Sequence, residues 1–349
     1  FMKTKLKQLG LIFCIFLIII AQTGCKNDSS KELKEVNKEI VALDTMCSIK
    51  VFKEDEDEGK KIVDAAIDKL QELDEEFSKT NKKSEVYKLN HAGGKRIEVS
   101  DKFAKVIKKS IELSKATGGR FDVTVGALTS LWDFTSGKNK VPSKAEIDKA
   151  KSTVGYKNIE LKQNTCRLLN KDTQIDLGGI AKGYIGDAIK EYLQSKGIKN
   201  AIINLGGDVL TMGKKSSGEP YKVGIKKPFK GKQEILGYTE VQEGTVVTSG
   251  VYERSFKSKG KLYHHIINPF TGMPAETDLD FVTVKSAKGS AMVADALATS
   301  LIILGEKATH DKGSEIIKKS DSVDYGFLTY TKAGKYKQTD GFGYKNSEN

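Results

Sequence analysis

The stretch Asp176-Leu-Gly-Gly-Ile-Ala-Lys-Gly-Tyr184, followed by Asn204-Leu-Gly-Gly-Asp208, is the most informative part of this sequence. Its glycines lie next to a carboxylate and a lysine. Glycines at the junctions of strands and helices let the backbone approach a phosphate closely and turn its N–H groups toward an anion. The pattern therefore indicates a cradle for a nucleotide or a metal ion. Two tight turns with close helix packing are the alternative interpretation.

The segments around these glycines predict regular structure. Residues 181–196 have the spacing of an amphipathic helix that ends at Gly197, and residues 201–205 are typical of a strand. Ser143, with Glu146 three residues later, has the pattern of a capping box at the start of a short helix. Further helices are predicted at 60–73, 101–117 and 291–304, and further strands at 40–52, 263–267 and 281–284. Because strands and helices do not alternate regularly, the sequence predicts an α+β fold.

Length and composition are those of a globular enzyme. The 349 residues are 38% hydrophobic, which suffices for a large core in one or two domains. The net charge is +12, but it comes mainly from scattered lysines. Since the sequence has no clustered arginines and no recognition helix, we expect no nucleic-acid partner.

The N-terminal residues resemble the signal peptide of a bacterial lipoprotein. A lysine-rich start precedes an apolar run at 9–21, which is short for a membrane span. The residues Gln22-Thr23-Gly24-Cys25 follow this run, with a small residue just before the cysteine. We predict a lipoprotein signal peptide at 1–24, a lipid on Cys25, a lipid-anchored tether at 25–39 and a folded domain at 40–349. An uncleaved N-terminal anchor is the alternative. Both interpretations place the domain at the extracytoplasmic face of the cell membrane.

Two cysteines, Cys47 and Cys166, lie in the predicted folded domain. One pair cannot make a disulfide framework, and neither cysteine has a metal-type spacing to a histidine. We expect both to be small buried apolar residues, with a single disulfide as the alternative.

Aromatic residues surround an aspartate where Phe121 and Asp122 precede Trp132. This arrangement suits the rim of a site for a planar ring. A core aromatic cluster explains it equally well.

Two of the four histidines, His264 and His265, are adjacent in the sequence. On a strand, adjacent side chains point to opposite faces, so only one of the two can address a given pocket. That one could act as a general base, while a structural role is the alternative.

One helix face offers oxygen ligands. In a helix, Asp295, Ala298 and Thr299 lie on the same side at spacings of three and four. A carboxylate, a main-chain carbonyl and a hydroxyl suit a hard cation such as Mg²⁺. The carbonyl of Ala298 would be free only where the helix opens or starts, and an aspartate that caps a helix N-terminus is the alternative.

The identity and order of these motifs resemble the ApbE family of FAD:protein FMN transferases, which are extracytoplasmic bacterial lipoproteins. The resemblance runs from about residue 40 to residue 304, and it implies a fold of mixed, largely antiparallel sheets with packed helices. Its matching pieces are Thr45-Met46, Phe77-Ser78 with Ser84-Glu85 and Leu89-Asn90, Gly119 to Gly126 with Trp132, Asp176 to Tyr184, Asn204 to Asp208, Thr248-Ser249-Gly250, His265 to Gly272 and Ala294 to Thr299.

The resemblance also implies a reaction and a set of site residues. Family members bind FAD and Mg²⁺, transfer FMN through a phosphoester bond to a threonine or serine of a target protein, and release AMP. The implied acceptors are flavoprotein subunits of membrane redox complexes or extracellular flavoproteins. By the resemblance, His265 is the base, and the metal ligands are Gly179, Asp295, Ala298 and Thr299. The positions that it assigns to FAD are Met46, Thr80, Phe121, Asp122, Val123, Asp176, Lys182 and Ile267.

The chain departs from the family pattern at three positions. Thr80 stands where many relatives have an aromatic residue, Cys47 replaces a glycine, and Asn268 replaces a common aspartate. A looser pocket could admit water in place of the acceptor hydroxyl, which would give an Mg²⁺-dependent FAD pyrophosphohydrolase yielding FMN and AMP. A lipid-anchored flavin-binding protein without turnover is a third hypothesis, although storage needs no metal ion at the pyrophosphate.

Overall fold

The computed structural model describes residues 32–215, 217–229 and 234–347. Residues 34–349 form one compact unit. The predicted signal peptide at 1–24 and the lipidation site Cys25 lie outside the described residues. The first strand begins at Lys34. Regular structure therefore starts within the predicted tether, before the boundary expected at residue 40.

Sixteen strands and eight α-helices occur in the described part of the chain. The helices are α1 (Glu56–Phe77), α2 (Glu85–Asn90), α3 (Asp101–Ala116), α4 (Gly126–Trp132), α5 (Lys144–Lys151), α6 (Ala181–Ser195), α7 (Ala291–Leu304) and α8 (Glu306–Ser320). The strands are β1 (Lys34–Ala42), β2 (Thr45–Lys53), β3 (Ile97–Glu98), β4 (Ile159–Lys162), β5 (Thr165–Leu168), β6 (Asn200–Leu205), β7 (Asp208–Met212), β8 (Tyr221–Lys226), β9 (Ile235–Val241), β10 (Gly244–Gly250), β11 (Ser255–Ser258), β12 (Lys261–His264), β13 (Leu279–Ser286), β14 (Gly326–Thr331), β15 (Tyr336–Gln338) and β16 (Tyr344–Asn346).

A large antiparallel sheet is the centre of the fold. Its eight strands have the spatial order β1–β2–β6–β7–β10–β13–β14–β15, and every neighbouring pair is antiparallel. Two three-stranded sheets, β16–β9–β8 and β3–β5–β4, and the hairpin β11–β12 complete the strands of the described residues. The predicted α+β fold of largely antiparallel sheets is confirmed.

Helices cover one face of the large sheet. Helix α1 packs against β1 and β2, α6 against β6 and β7, and α7 against β10 and β13. The other face carries the sheet β16–β9–β8. Adjacent residues of β10 make the division visible, because Val247 packs toward the helices and Val246 packs with Phe281 and Phe342 on the opposite side. The sheet is therefore buried on both faces over its central strands.

The local signals for the helices are confirmed. Helix α1 begins after Asp55, whose side chain accepts a hydrogen bond from the N–H of Glu58. Helix α5 has the predicted capping box between Ser143 and Glu146. Helix α7 has the predicted bounds, and α6 ends before Gly197, whose φ of 74° is the left-handed conformation that glycine adopts readily.

The glycines of the two opening stretches have different roles. Helices α6 and α7 touch at Gly183, where a Cβ would lie 2.2 Å from the carbonyl oxygen of Ala291. Gly206 and Gly207, with φ of 69° and 105°, form the turn between β6 and β7. Close helix packing and a tight turn thus account for these three glycines, as the alternative interpretation predicts.

The prediction of one strand over residues 40–52 is wrong, because the chain reverses there. Strands β1 and β2 form a hairpin whose turn consists of Leu43 and Asp44, with φ of 55° and 57°. Such turns usually contain Asn-Gly or Asp-Gly, so the sequence carries no turn signal here. The N–H of Leu43 donates to Asp74 at 2.8 Å, and Asp44 lies 3.4 Å from Arg254. These contacts hold the turn in place.

Candidate active site

A cavity of about 480 Å³ lies between the start of α6, the first half of α7 and the end of β10. Further walls come from the β1–β2 turn, from the segment that follows α1, and from residues in the ranges 120–135, 176–179, 253–254 and 265–269. The predicted site residues that line this cavity are Thr80, Phe121, Asp122, Asp176, Gly179, Lys182, His265, Ile267, Asp295 and Thr299. Segments far apart in the sequence therefore meet in one pocket.

Asp295 is the buried acid of this pocket. Its side chain is on α7, the residue is only 2% exposed, and Oδ2 accepts a hydrogen bond from the N–H of Gly183 at 3.2 Å. Burial raises the pKa of Asp295 to about 6, although the charge of Lys182 opposes the shift. Ser290, not Asp295, is the N-cap of α7. The carboxylate is thus available to stabilise a cation.

Gly179 and Thr299 add oxygen atoms beside Asp295. A Cβ at Gly179 would lie 3.5 Å from Thr299 Oγ1 and 3.4 Å from the ring of Phe121, so the main chain of Gly179 runs close to the hydroxyl. Ser249 Oγ lies 3.3 Å from the same hydroxyl. Among the described residues no group of three or more His, Cys, Asp or Glu side chains could hold a metal. A carboxylate with hydroxyl and main-chain oxygens nevertheless fits a small hard cation.

Lys182 supplies positive charge beside Asp295. Its ammonium forms an ion pair with Asp208, which is 1% exposed and also accepts the N–H of Thr248 at 3.2 Å. Burial opposes the charge of Lys182, but Asp208 and Asp295 outweigh it and raise the lysine pKa, so the ammonium persists. Helix α6 starts at this wall without a side-chain cap. A lysine beside a helix N-terminus suits a phosphate group.

Asp176 connects three segments at the cavity wall. Its Oδ2 accepts from Lys79 Nζ at 2.8 Å and from Thr129 Oγ1 at 2.6 Å, and its Oδ1 accepts from the N–H of Gly178 at 2.9 Å. Burial opposes ionisation of this carboxyl, but Lys79 and Thr129 outweigh it and hold the pKa below its usual range. Asp176 is therefore a charged group whose acceptor positions are already occupied by protein donors.

Asp122 lines the cavity, but both of its carboxylate oxygens accept hydrogen bonds from the protein. Oδ1 accepts from the N–H and the hydroxyl of Thr124 at 2.9 and 2.6 Å, and Oδ2 accepts from the N–H of Tyr156 at 2.8 Å. Burial raises the pKa of Asp122 in spite of these bonds. The neighbouring Phe121 is 4% exposed and, with Ile267, gives the cavity an apolar wall.

His265 lines the cavity as a neutral imidazole. Its Nδ1 is buried and has no hydrogen-bond partner among the described residues, while its backbone N–H donates to the carbonyl of Arg254 at 3.0 Å. Burial, followed by the charge of Arg254, lowers the imidazole pKa to about 3. His264 is not a lining residue, and its Nε2 lies 3.0 Å from the carbonyl of Ala275. The adjacent histidines therefore face different surroundings. The strand predicted over 263–267 is wrong in its bounds, because β12 ends at His264 and His265 follows it.

Residues 43–325 match a family model, that of the ApbE family. An FAD:protein FMN transferase of Vibrio cholerae is 31% identical over 301 residues, which are 85% of this chain and 88% of that protein. One of Klebsiella pneumoniae is 34% identical over 249 residues, with shares of 70% and 75%. The crystal structure of the ApbE protein of Thermotoga maritima matches with a TM-score of 0.79 at 30% identity, over 88% of this chain and 98% of that one. The chain belongs to the ApbE family.

Three residues that the ApbE resemblance assigns to ligands do not line the cavity. Met46 is 56% exposed on β2. Val123 is buried, and its carbonyl accepts the N–H of Asp176 at 2.7 Å, so it supports the wall from behind. Ala298 is buried inside α7, which is continuous from Ala291 to Leu304. The helix opening that would free the carbonyl of Ala298 is therefore absent from α7.

Burial decides two questions that the sequence left open, the role of Trp132 and the state of the two cysteines. Trp132 is 1% exposed, stacks on Tyr263 at a centroid distance of 5.4 Å, and donates from Nε1 to the carbonyl of Gly272 at 2.9 Å. It belongs to a core aromatic cluster rather than to a pocket rim. Cys47 and Cys166 are both buried and unpaired, and burial raises their thiol pKa values to about 11 and about 12.

Several residues of this ApbE site were not predicted from the sequence. Lys79, Thr129 and Arg254 line the cavity, and Asp208 holds Lys182 from just behind it. Asp208 ends one of the glycine-rich stretches, so its position was visible in the sequence but its partner was not. Lys79 and Asp176 are 97 positions apart, and a single sequence carries no signal for such a pairing.

Proposed function

We propose that this protein transfers FMN from FAD to a threonine or serine hydroxyl of a target protein, forms a phosphoester bond, and releases AMP. Membership of the ApbE family and the names of its relatives support the reaction class. The observation that carries the proposal is the meeting of Asp295, Thr299 and Gly179 with Lys182 and the start of α6 in one cavity. Oxygen ligands beside cationic groups suit a dinucleotide pyrophosphate with its metal ion.

We further propose that Mg²⁺ binds between Asp295, Thr299 and the main chain of Gly179. Bound there, the ion would supply charge neutralisation for the pyrophosphate and for the departing AMP. Asp295 contributes a carboxylate whose burial favours a neighbouring cation, and Thr299 contributes a hydroxyl. Ala298 is left out of this set, because its carbonyl lies within a continuous helix.

The reaction requires one bond to form and one to break at the phosphorus that carries FMN. The acceptor oxygen bonds to this phosphorus, and the bond from phosphorus to the bridging oxygen breaks, so that AMP leaves with that oxygen. Lys182 holds the phosphates and stabilises the charge that develops on them. Phe121 and Ile267 offer apolar surface to the rings of FAD.

His265 is the proposed acceptor of the hydroxyl proton. Its low pKa keeps the imidazole neutral at physiological pH, and Nδ1 has no hydrogen-bond partner in the described part of the chain. A neutral imidazole that lines the cavity can accept a proton directly or through one water. Burial sets the low basicity of this imidazole.

The proposed reaction is tested by incubating the protein with FAD, Mg²⁺ and a candidate acceptor that contains a threonine. Intact mass of the acceptor and chromatography of the nucleotides are measured together. A mass gain equal to FMN, with equimolar AMP, is the expected result. Intact bound FAD would instead support a flavin-binding protein without turnover and would overturn the proposal.

Two variants test the residue roles. Asp295→Ala should abolish transfer while the protein stays folded, and unchanged activity in Mg²⁺ would remove the metal assignment. His265→Ala should slow transfer more than it weakens FAD binding. An equal loss of both would make His265 a structural residue.

A second candidate function is Mg²⁺-dependent hydrolysis of FAD to FMN and AMP. The observation that favours it is Thr80, which lines the cavity with a small side chain whose hydroxyl lies 3.1 Å from Ser78 Oγ. A hydroxyl pair at the wall attracts water, whereas an aromatic ring would exclude it. Free FMN with AMP and an unmodified acceptor would identify this activity. Thr80→Tyr should then reduce hydrolysis relative to transfer.

We also propose that the protein is held at the extracytoplasmic face of the cell membrane by a lipid on Cys25, where membrane redox complexes or extracellular flavoproteins supply the acceptors. The support is the N-terminal sequence pattern. No helix in the described part of the chain combines the length and the apolar character needed to span a membrane. Metabolic labelling with a fatty acid should mark the wild type and not Cys25→Ser. Labelling of both would overturn the anchor.

A further inference from the structure

Lys79 lines the cavity, and its ammonium reaches across to the wall that precedes α6. Its Nζ donates to Asp176 Oδ2 at 2.8 Å and to Thr129 Oγ1 at 3.0 Å. The lysine side chain is 32% exposed and the aspartate side chain 18% exposed. Removing one member of such a partly buried ion pair leaves the other charge without its partner.

Asp176 in turn shapes the main chain that leads to the proposed cation site. Its Oδ1 accepts the N–H of Gly178 at 2.9 Å, two residues along the chain. Such a bond from an aspartate to the second following N–H fixes a tight turn. The N–H of Asp176 is itself fixed, because it donates to the carbonyl of Val123 at 2.7 Å. The carboxylate therefore controls the direction in which Gly178 and Gly179 leave residue 176.

The turn ends at the residues that would hold the metal ion and the phosphates. Gly179 lies against Thr299 Oγ1, and α6 begins two residues later with Lys182 in its first turn. The N–H of Gly183 then donates to Asp295. Because only two residues separate Gly179 from Asp176, a change in the turn would move the main chain of Gly179 relative to Thr299.

We propose that Lys79 is a positioning residue for the cation site, acting through Asp176 and the 176–179 turn. The inference rests on the proposed Mg²⁺ site. The ammonium of Lys79 balances the charge of Asp176, so that the carboxylate stays ionised and keeps its bond to the N–H of Gly178. Outer residues that orient metal ligands commonly change metal affinity by about 10–100-fold when they are replaced.

Three variants separate this role from others. Lys79→Met keeps the length of the side chain and removes its charge. Asp176→Asn places an amide nitrogen opposite the Lys79 ammonium, which sets two donors against each other. The double variant restores complementarity, because the oxygen of the introduced amide can accept from Gly178 and its nitrogen can donate to Thr129 Oγ1. The Thr129 hydroxyl can then turn to the carbonyl of Gly126, 3.2 Å away.

The experiment measures Mn²⁺ binding by electron paramagnetic resonance, with Mn²⁺ alone as the probe and no flavin turnover required. Lys79→Met and Asp176→Asn should each weaken Mn²⁺ binding about tenfold or more, and the double variant should recover most of the loss. Lys79→Arg should bind almost as the wild type does. The matched control is Lys82→Met, which removes an exposed lysine from the same segment and should change nothing. Circular dichroism and thermal melting verify that each variant is folded.

The contrary outcomes are distinct. Wild-type Mn²⁺ affinity in a folded Lys79→Met protein would overturn the positioning role and leave the proposed function standing. Additive losses in the double variant would also overturn it, because they would mean that the two residues act independently. Binding of Mn²⁺ by Asp295→Ala as tight as by the wild type would overturn the metal site itself and, with it, this inference.

Discussion

Replacing Gly183 with alanine should separate the two helices that carry the candidate active site. A Cβ at residue 183 would lie 2.2 Å from the carbonyl oxygen of Ala291 and 2.6 Å from the Cα of Met292. Both are main-chain atoms, so rotation of a side chain cannot relieve the contact. Helix α7 must move away from α6 by about 1.2 Å before the 2.2 Å contact reaches 3.4 Å, the shortest ordinary van der Waals separation.

The displacement of α7 should lower the rate of turnover more than it lowers the stability of the fold. Overpacking of this kind costs about 1–3 kcal/mol, and the higher helix propensity of alanine offsets about 1 kcal/mol. We expect the free energy of unfolding to fall by up to about 2 kcal/mol. Because Asp295 is on α7 and bonds to the N–H of residue 183, the same movement shifts its carboxylate relative to Lys182. A misplacement of about 1 Å can lower the rate about a hundredfold.

The assay pairs urea unfolding with the rate of AMP release at saturating FAD and Mg²⁺. Gly186→Ala is the matched control, since it adds the same methyl group one turn along α6. There the Cβ would lie 2.6 Å from Leu210 Cδ1, the flexible end of a side chain, so we expect a loss of less than about threefold in rate. Equal rates for Gly183→Ala and Gly186→Ala would refute the reasoning that contact between α6 and α7 sets the geometry of the site.

Three further predictions concern the supports of the site and the acid stability of the fold. Asp187 accepts the N–H groups of Ala291 and Met292 at 2.9 and 3.1 Å, so Asp187→Ala should lower the free energy of unfolding by about 2–3 kcal/mol; a urea midpoint equal to that of the wild type would contradict this. Lys285 donates to three oxygens, including the carbonyl of Phe342 at 2.7 Å. Lys285→Met should therefore lower the free energy of unfolding by about 2–4 kcal/mol and expose the C-terminal residues to protease. Lys288 is exposed, and Lys288→Met should have neither effect. Burial lowers the pKa of His264 to about 4 from its ordinary value of 6.5. As the pH falls, His264 therefore takes up a proton in the unfolded chain before it does so in the folded protein. The stability that depends on the neutral ring is complete above pH 6.5, and the free energy of unfolding should decline by about 2 kcal/mol between pH 7 and pH 5. Urea unfolding at the two pH values should give a smaller decline for His264→Gln; an identical decline would mean that other groups are responsible.

Elements whose signals are local could be predicted from the sequence. The capping box at Ser143 depends on residues three positions apart, and the oxygen face of α7 depends on residues four positions apart. Both follow from the helix repeat alone. For the same reason the bounds of α7 agree with the apolar run at 291–304, and the oxygen-rich face of Asp295 and Thr299 was visible before its surroundings were known.

Features that depend on distant partners could not be predicted. The pair of Lys79 and Asp176 joins residues 97 positions apart, and nothing near Lys79 distinguishes it from the exposed lysines that follow it. The availability of the carbonyl of Ala298 depends on whether the helix is interrupted, which residue type does not reveal. Trp132 fitted a rim and a core equally well until its burial was known.

The β1–β2 turn has a consequence for engineering this protein toward heat resistance. Leu43 and Asp44 both adopt left-handed backbone conformations, which cost a residue with a side chain about 1–2 kcal/mol relative to glycine. A library screened only for survival at high temperature would therefore be enriched in Asn-Gly at these positions. Leu43 also lines the cavity, so the selected variants would have lost part of the cavity wall. A useful screen has to score turnover together with melting temperature.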